Sequence, residues 1–252
     1  MPNGEFRETR VPPYSSSVLI QPYQSRGEDE GVLWQECFRQ VVNGTNYRIC
    51  ELILLSVVLP SVILFLKLAP HLLLFLWATL LYCLLVFYLG QPKEEREKHR
   101  ITVPINIIGF VIVRWLLFSL LLFLFTYFTF PEKLFLVQKT NPGFIWKIII
   151  FYPLFSALPQ EFIFCKFFFA RYKVFFGEKT FMVMMSSLAF CFAHILFINW
   201  VAPVLGLLAG VIFARTYKKT KSLLLVSLEH SLYGDTLFII GLGWFFWGGS
   251  VA

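Results

Sequence analysis

Seven apolar stretches follow one another along the chain, near residues 49–66, 70–90, 103–130, 147–170, 180–198, 200–216 and 222–247. Each approaches or exceeds the ~20 residues with which a helix rising 1.5 Å per residue crosses a bilayer. The third is longer than a crossing needs, so it must tilt or extend past the surface. The first contains Pro60 and ends at Lys67. The fifth and sixth meet at Ile198-Asn199-Trp200, with Pro203 just beyond, which calls for a tight turn at one membrane face. None of the runs alternates with a period of two, and all outrun the ~10 residues of a barrel strand, so a membrane β-barrel is excluded. The predicted fold is all-α, a polytopic transmembrane bundle of about seven spans. No internal repeat stands out, which argues against a transporter built from inverted halves.

Residues 1–48 are polar and carry Pro, Ser and Gly clusters (VPPYSSS, SRGEDEG). No short apolar core follows a basic start, so this is not read as a signal peptide. Within it, VLWQECFRQVV (32–42) spaces Trp34, Phe38 and Val41 as i, i+4, i+7. That is the spacing of a short helix lying in the membrane interface; an ordinary polar tail is the other reading. The chain thus divides into a polar tail (1–48), N-terminal transmembrane helices (49–146) and a C-terminal core (147–247) that holds the candidate chemistry.

Composition sharpens this picture. Hydrophobic residues make up 58% and charged residues 15%, against roughly 25% charged in ordinary globular proteins. Such a chain cannot cover a water-facing surface, which rules out a soluble fold, disorder and a coiled coil. The net charge is +7, but the basic residues fall mostly between the apolar runs. They therefore report orientation, and no nucleic-acid partner is expected. With the N-terminus in the cytoplasm, 16 Lys/Arg flank the spans on that side and 4 on the other. Seven spans then place the C-terminus outside. The five cysteines, Cys37, Cys50, Cys83, Cys165 and Cys191, are scattered and lack any CxxC pair. They read as free thiols, with neither a zinc ribbon nor a disulfide framework.

The informative residues are polar groups inside apolar runs, where a charge costs at least ~2.5–3.5 kcal/mol. The fourth run holds Gln160 and Glu161, the fifth His194, and the seventh Glu229, His230 and Asp235. At ~1.5 Å per residue, Glu161 and His230 lie ~13 and ~12 Å in from the cytoplasmic side, His194 and Asp235 ~20 Å. Three helices thus deliver a carboxylate and two imidazoles to one middle layer of a ~30 Å core. Each residue also has a plainer reading. A lone intramembrane histidine often serves packing alone. Glu161 could pair with Lys166, which could instead snorkel outward. Glu229 points ~100° away from His230 and suits a bridge to another helix. Arg114 could answer any of these carboxylates, or serve packing, and Cys165 and Cys191 act as small apolar residues. Taken together, a carboxylate in apolar surroundings becomes a usable base, and a facing histidine can steady an oxyanion or orient water. Glu161, His194 and His230 could alternatively ligate zinc, although no HExxH is present. Both options describe hydrolysis inside the membrane, and no serine or cysteine stands in a nucleophile motif.

These residues resemble the CAAX protease and bacteriocin-processing (CPBP, Abi) intramembrane endopeptidases, whose best-known branch is the prenyl-protein CAAX endopeptidase. The first family motif, Glu-Glu-x-x-x-Arg, is matched in position by Gln160-Glu161-Phe162-Ile163-Phe164-Cys165. The second, Phe-x-x-x-His, is Phe190 to His194. The third, His-x-x-x-Asn/Asp, is approximated by His230 to Asp235. The resemblance covers about 147–247. Its departures are specific. Gln160 replaces the first acid, and Cys165 stands at the arginine position with Lys166 one residue late. A register shifted by one would align Glu161 with the first acid and Lys166 with the arginine. Gly234 stands where Asn or Asp belongs; a helix distortion there could bring Asp235 round, or Asn199 could supply the amide. The resemblance implies that Glu161 activates water while His194 and His230 surround water and oxyanion. It requires no cofactor, although zinc is a candidate because metal dependence has been described for the family. Glu161 and His230 lie nearer the cytoplasmic face, so the site is expected to open there, which puts the substrate among membrane-associated or lipidated, CAAX-like proteins or leader peptides. The departures leave two competitors: a catalytically silent binding or immunity protein on the same scaffold, and a proton-coupled transporter.

Overall fold

The computed structural model describes residues 26–91 and 103–247, and these contain helices and no strand. Helix α1 spans Arg26–Asn43. Seven helices long and apolar enough to cross a membrane include α2 (Thr45–Phe65), α3 (Ala69–Gly90) and α4 (Ile105–Thr129). After a short α5 (Leu136–Thr140) come α6 (Pro142–Phe176), α7 (Thr180–Phe197), α8 (Val201–Thr220) and α9 (Leu223–Ile240). All seven expected spans are present, and the protein is a multi-pass integral membrane protein.

Two boundaries differ from expectation. Helix α6 is 35 residues long, beginning at Pro142 and passing well beyond residue 170. Proline suits a helix start because its missing N–H would be unpaired there anyway. Helix α9 stops at Ile240 rather than near 247, and a 3-10 turn follows at Leu242–Phe246. The stop is Gly241, at φ +103° and pressed against the Lys133 carbonyl, which a Cβ would meet at 1.9 Å. Only glycine fits that backbone and that approach.

Burial separates the helices into two groups. In α6–α9, 39–50% of the apolar window is buried, against 6–17% in α2–α4. The C-terminal four form the inner core and the earlier three face outward over most of their length. Aromatic rings fill much of that core: Phe162, Phe167, Phe168, Phe190, Phe213 and Tyr172 are all buried.

Prolines shape the two irregular helices. A proline within a helix lacks an N–H and pushes away the carbonyl four residues earlier. Pro159 therefore leaves the Phe155 carbonyl without its helical donor, and Trp77 Nε1 of α3 donates to it at 3.1 Å. Widened π turns occupy Leu54–Val58 ahead of Pro60, and Pro153–Ala157 ahead of Pro159. A third, Phe162–Phe167, directly follows Glu161. There the Phe164 carbonyl accepts a hydrogen bond from Ser186 Oγ of α7 at 2.6 Å. Backbone groups freed within a membrane need such partners, and here a neighbouring helix supplies them.

Two buried ion pairs tie helices together. The first was expected in outline: Arg114 of α4 pairs with Glu229 of α9, and its Nη2 also donates to Thr216 Oγ1 of α8 at 2.8 Å. Glu229 thus bridges helices, as its ~100° offset from His230 suggests. The second corrects the charge reading. Arg171, one of the 16 basic residues expected to flank the spans on the cytoplasmic side, is 1% exposed inside α6. Its Nε donates to Glu51 Oε2 of α2 at 2.6 Å, and its Nη1 to Asn43 Oδ1 of α1 at 3.0 Å. Tyr82 and Tyr172 hydroxyls donate to the same carboxylate at 2.6 and 3.2 Å.

Helix α1 includes the 32–42 segment and starts earlier. It is pinned to the end of α3, where Arg39 Nε donates to the Leu89 carbonyl at 3.1 Å and Asn43 Nδ2 to that of Gly90 at 2.8 Å. Val42 is buried while Leu33, Trp34 and Val41 are exposed, with Trp34 stacked on Phe38 at 5.5 Å. Residues 1–25 of the expected polar tail, and most of the basic segment QPKEEREKHR, lie outside the described residues, while residues 45–48 of that tail already belong to α2.

Candidate active site

Glu161 sits at the end of a four-residue α segment of α6, Leu158–Glu161, between two of the π turns. The widened turns set the direction in which its side chain leaves the helix, and π turns recur at functional sites. The carboxylate is buried, and its Oε1 lies 2.7 Å from His230 Nδ1 of α9. His230 Nε2 lies 2.9 Å from the Tyr152 hydroxyl, one helical stretch earlier on α6. A chain of three groups results, Glu161–His230–Tyr152. With Glu161 ionised, Nδ1 must carry a proton, since a carboxylate only accepts. The second oxygen, Oε2, is buried and has no hydrogen-bond partner. The Cys165 thiol, a weak donor, lies near the carboxylate. The His230 ring itself is held by aromatic walls, stacked on Phe213 at 4.6 Å and edge-on to Phe190 at 5.6 Å.

His194 ends the α-helical part of α7, just before its closing 3-10 turn, and turns its Nδ1 back to the Phe190 carbonyl at 2.7 Å. A carbonyl can only accept, so Nδ1 carries the proton and the neutral ring keeps a lone pair on Nε2. Gly206 of α8 lets this ring pack close; a Cβ there would come within 3.0 Å of it. His194 and His230 meet across a cavity of about 80 Å³ rather than through a hydrogen bond of their own. Tyr152, Ser156 and Gln160 share that wall. Glu161 is not among its lining residues and stands one residue back, behind His230. His194, Gln160 and Ser156 also border a second cavity of about 450 Å³ that opens between α2, α3, α6 and α7 and is lined mainly by apolar side chains. The structure therefore gathers Glu161 with His230 and sets His194 opposite.

The remaining expected residues divide. Gln160 is on the cavity wall, with Nε2 donating to Ser156 Oγ at 2.8 Å. Lys166 does not pair with Glu161; its ammonium lies over the Phe87 and Phe162 rings at 5.3 and 5.9 Å. Asn199 is not free to supply an amide. Its Oδ1 accepts from Ala202 N at 2.8 Å, capping α8, and its Nδ2 donates to the Phe197 and Phe245 carbonyls. Asp235 is not brought round, because α9 continues without a break through Gly234. Asp235 lines neither cavity, and its Oδ1 is buried without a partner. Gly234 serves a different purpose: a Cβ there would fall 2.1 Å from Tyr152 Cε1. The glycine makes room for the tyrosine ring that reaches His230.

Zinc does not fit this arrangement of donors. Both nitrogens of His230 and one of His194 are engaged by protein groups. Among the described residues no group of three or more His, Cys, Asp or Glu side chains is gathered as a ligand set. Sequence reasoning missed Tyr152, which looks like one more aromatic residue in an apolar run. The signal that pointed to it was the small residue at 234, four positions after His230.

Comparison with known families agrees with the motif reading over the same helices. Residues 142–234 match the family of type II CAAX prenyl endopeptidase Rce1-like proteins. That stretch runs from the start of α6 through Gly234 of α9 and contains Glu161, His194 and His230. It supports a peptidase of the CAAX type. No curated protein and no solved structure matches the chain.

Proposed function

We propose that this protein is an intramembrane endopeptidase that hydrolyses a peptide bond in a membrane-associated or lipidated, CAAX-like protein or leader peptide. One observation carries the reading: a buried carboxylate bonded to an imidazole at 2.7 Å, beside a cavity with a second imidazole, inside the segment that matches the endopeptidase family. Glu161 is the base. His230 Nδ1–H holds its Oε1, which leaves Oε2 to take a proton from water as the oxygen attacks the scissile carbonyl. His194 Nε2 accepts the water's other hydrogen and orients it. The tetrahedral intermediate forms in the small cavity between the two imidazoles, and the protonated Glu161 then hands its proton to the departing amine. Because Glu161 stands behind His230, the reactive state requires nearby side chains to shift enough to admit water to Oε2.

The large cavity bears on the substrate. Its apolar walls share His194, Gln160 and Ser156 with the small cavity, so an apolar chain or side chain seated there would lie next to the reacting bond. The excess of basic loop residues favours a cytoplasmic N-terminus and a site that opens toward the cytoplasm. The exposed apolar residues of α1 would then rest in the inner interface.

The test is cleavage of a lipidated CAAX-like peptide by purified protein in liposomes, against the same peptide without lipid. Cleavage preferring the lipidated form is expected, and a metal chelator should leave the rate unchanged. Loss of activity with chelator and its return with zinc would overturn the metal-free mechanism. His194→Ala should lower the rate by about 100-fold or more, in the range of positioned acid–base groups, with insertion intact. Two observations favour a second reading, binding without catalysis: Gln160 replaces an acid, and Glu161 is set back from the cavity wall. Saturable binding of the peptide with no cleavage under any condition would establish that reading instead.

A further inference from the structure

We infer that Tyr152, seated in the space that Gly234 leaves open, is a positioning residue that holds His230 with its Nδ1–H on Glu161. The inference rests on the endopeptidase reading and adds a residue that none of the three motifs contains. Tyr152 lies in α6, nine positions before Glu161, so both ends of the Glu161–His230–Tyr152 chain come from one helix and the imidazole from another. The hydroxyl is 2.9 Å from His230 Nε2. Two proton patterns satisfy the chain while Glu161 is ionised. In one, the tyrosine donates to a neutral ring; in the other, it accepts from an imidazolium. Nδ1–H faces Glu161 in both, so the tyrosine fixes the ring's orientation without having to change its own charge.

Space makes the arrangement reciprocal. A Cβ at 234 would lie 2.1 Å from Tyr152 Cε1 and 2.4 Å from its hydroxyl oxygen. Any larger residue at 234 therefore displaces the ring, and the ring can reach His230 only because 234 is glycine. Position 234 is also four residues after His230, on the same face of α9. An amide there could reach the imidazole itself if the tyrosine ring were absent. Tyr152 and a polar residue at 234 are alternative occupants of one place.

The experiment measures kcat and KM in liposomes together with the side-chain 15N signals of His230, identified by their loss in His230→Gln. Tyr152→Phe keeps the ring and removes only the hydroxyl. It should lower kcat about tenfold, the scale of one lost hydrogen bond, leave KM within twofold, and shift the Nε2 signal. The double variant Tyr152→Ala, Gly234→Asn should recover activity over Tyr152→Ala alone. Wild-type kcat with an unshifted Nε2 signal in Tyr152→Phe would overturn the inference. So would a rise in KM at constant kcat, which marks a substrate contact. Full activity in Glu161→Gln would sink the endopeptidase reading instead, and the Nε2 signal would still decide the role of Tyr152.

Discussion

Glu161→Gln is expected to lower peptide cleavage by about 100- to 10,000-fold, the contribution typical of a positioned general base. The substitution is close to isosteric. The glutamine carbonyl can still accept from His230 Nδ1–H, so the Glu161–His230–Tyr152 chain should survive in shape. What changes is the other end of the group. Oε2, buried and without a hydrogen-bond partner, becomes an NH₂ that donates and cannot take a proton from water. Folding should not suffer, since a buried charge is exchanged for a neutral amide of the same size. Thermal unfolding in detergent should stay within a few degrees of wild type while product formation falls. Unchanged cleavage by a well-folded Glu161→Gln protein would remove Glu161 from the chemistry, and with it the proposed mechanism.

The nearness of Glu161 and His230 was legible from depth, as part of an expected cluster that also held His194. Apolar run length fixes where a helix enters the bilayer, and residue count then fixes depth. Glu161 and His230 came out at similar depth on different spans, where burial demands a partner, and they are each other's partner. His194 was placed in the same layer, but its partner was not readable. Whether it donates to a backbone carbonyl or to another side chain depends on the turn that ends α7. Asn199 failed for a related reason. An asparagine between two helices can cap the second as readily as line a site, and the cap at Ala202 took it. Lys166 and Arg171 show the limit of reading charge by position along a run. Lys166 lies over aromatic faces, which a sequence crowded with phenylalanine offers at many places. Arg171 falls just past the apparent end of the fourth run, and only the unexpected length of α6 brings it inside the protein. The π turns were equally hidden, although Pro153 and Pro159 mark where the regular ladder must give way.

Arg171→Ala is expected to destabilise the protein by about 3–5 kcal/mol, the cost of stranding one partner of a buried pair. Glu51 is 4% exposed and would keep only the tyrosine donors, Tyr82 at 2.6 Å and Tyr172 at 3.2 Å. The arginine does more than neutralise it. Its planar fork also donates to Asn43 Oδ1 and the Val42 carbonyl, so one side chain joins α6 to α2 and to the end of α1. Losing it should lower the unfolding temperature in detergent and expose the α1–α2 junction to limited proteolysis. Arg171→Lys should fall between the two, because an ammonium carries the charge but lacks the fork. A double variant, Glu51→Gln with Arg171→Met, should recover much of the loss, since no charge is then left unpaired. If Arg171→Ala unfolds at the wild-type temperature, the pair is not holding these helices together. If the double variant is as unstable as the single one, the fork's contacts to α1, and not the stranded charge, dominate the loss.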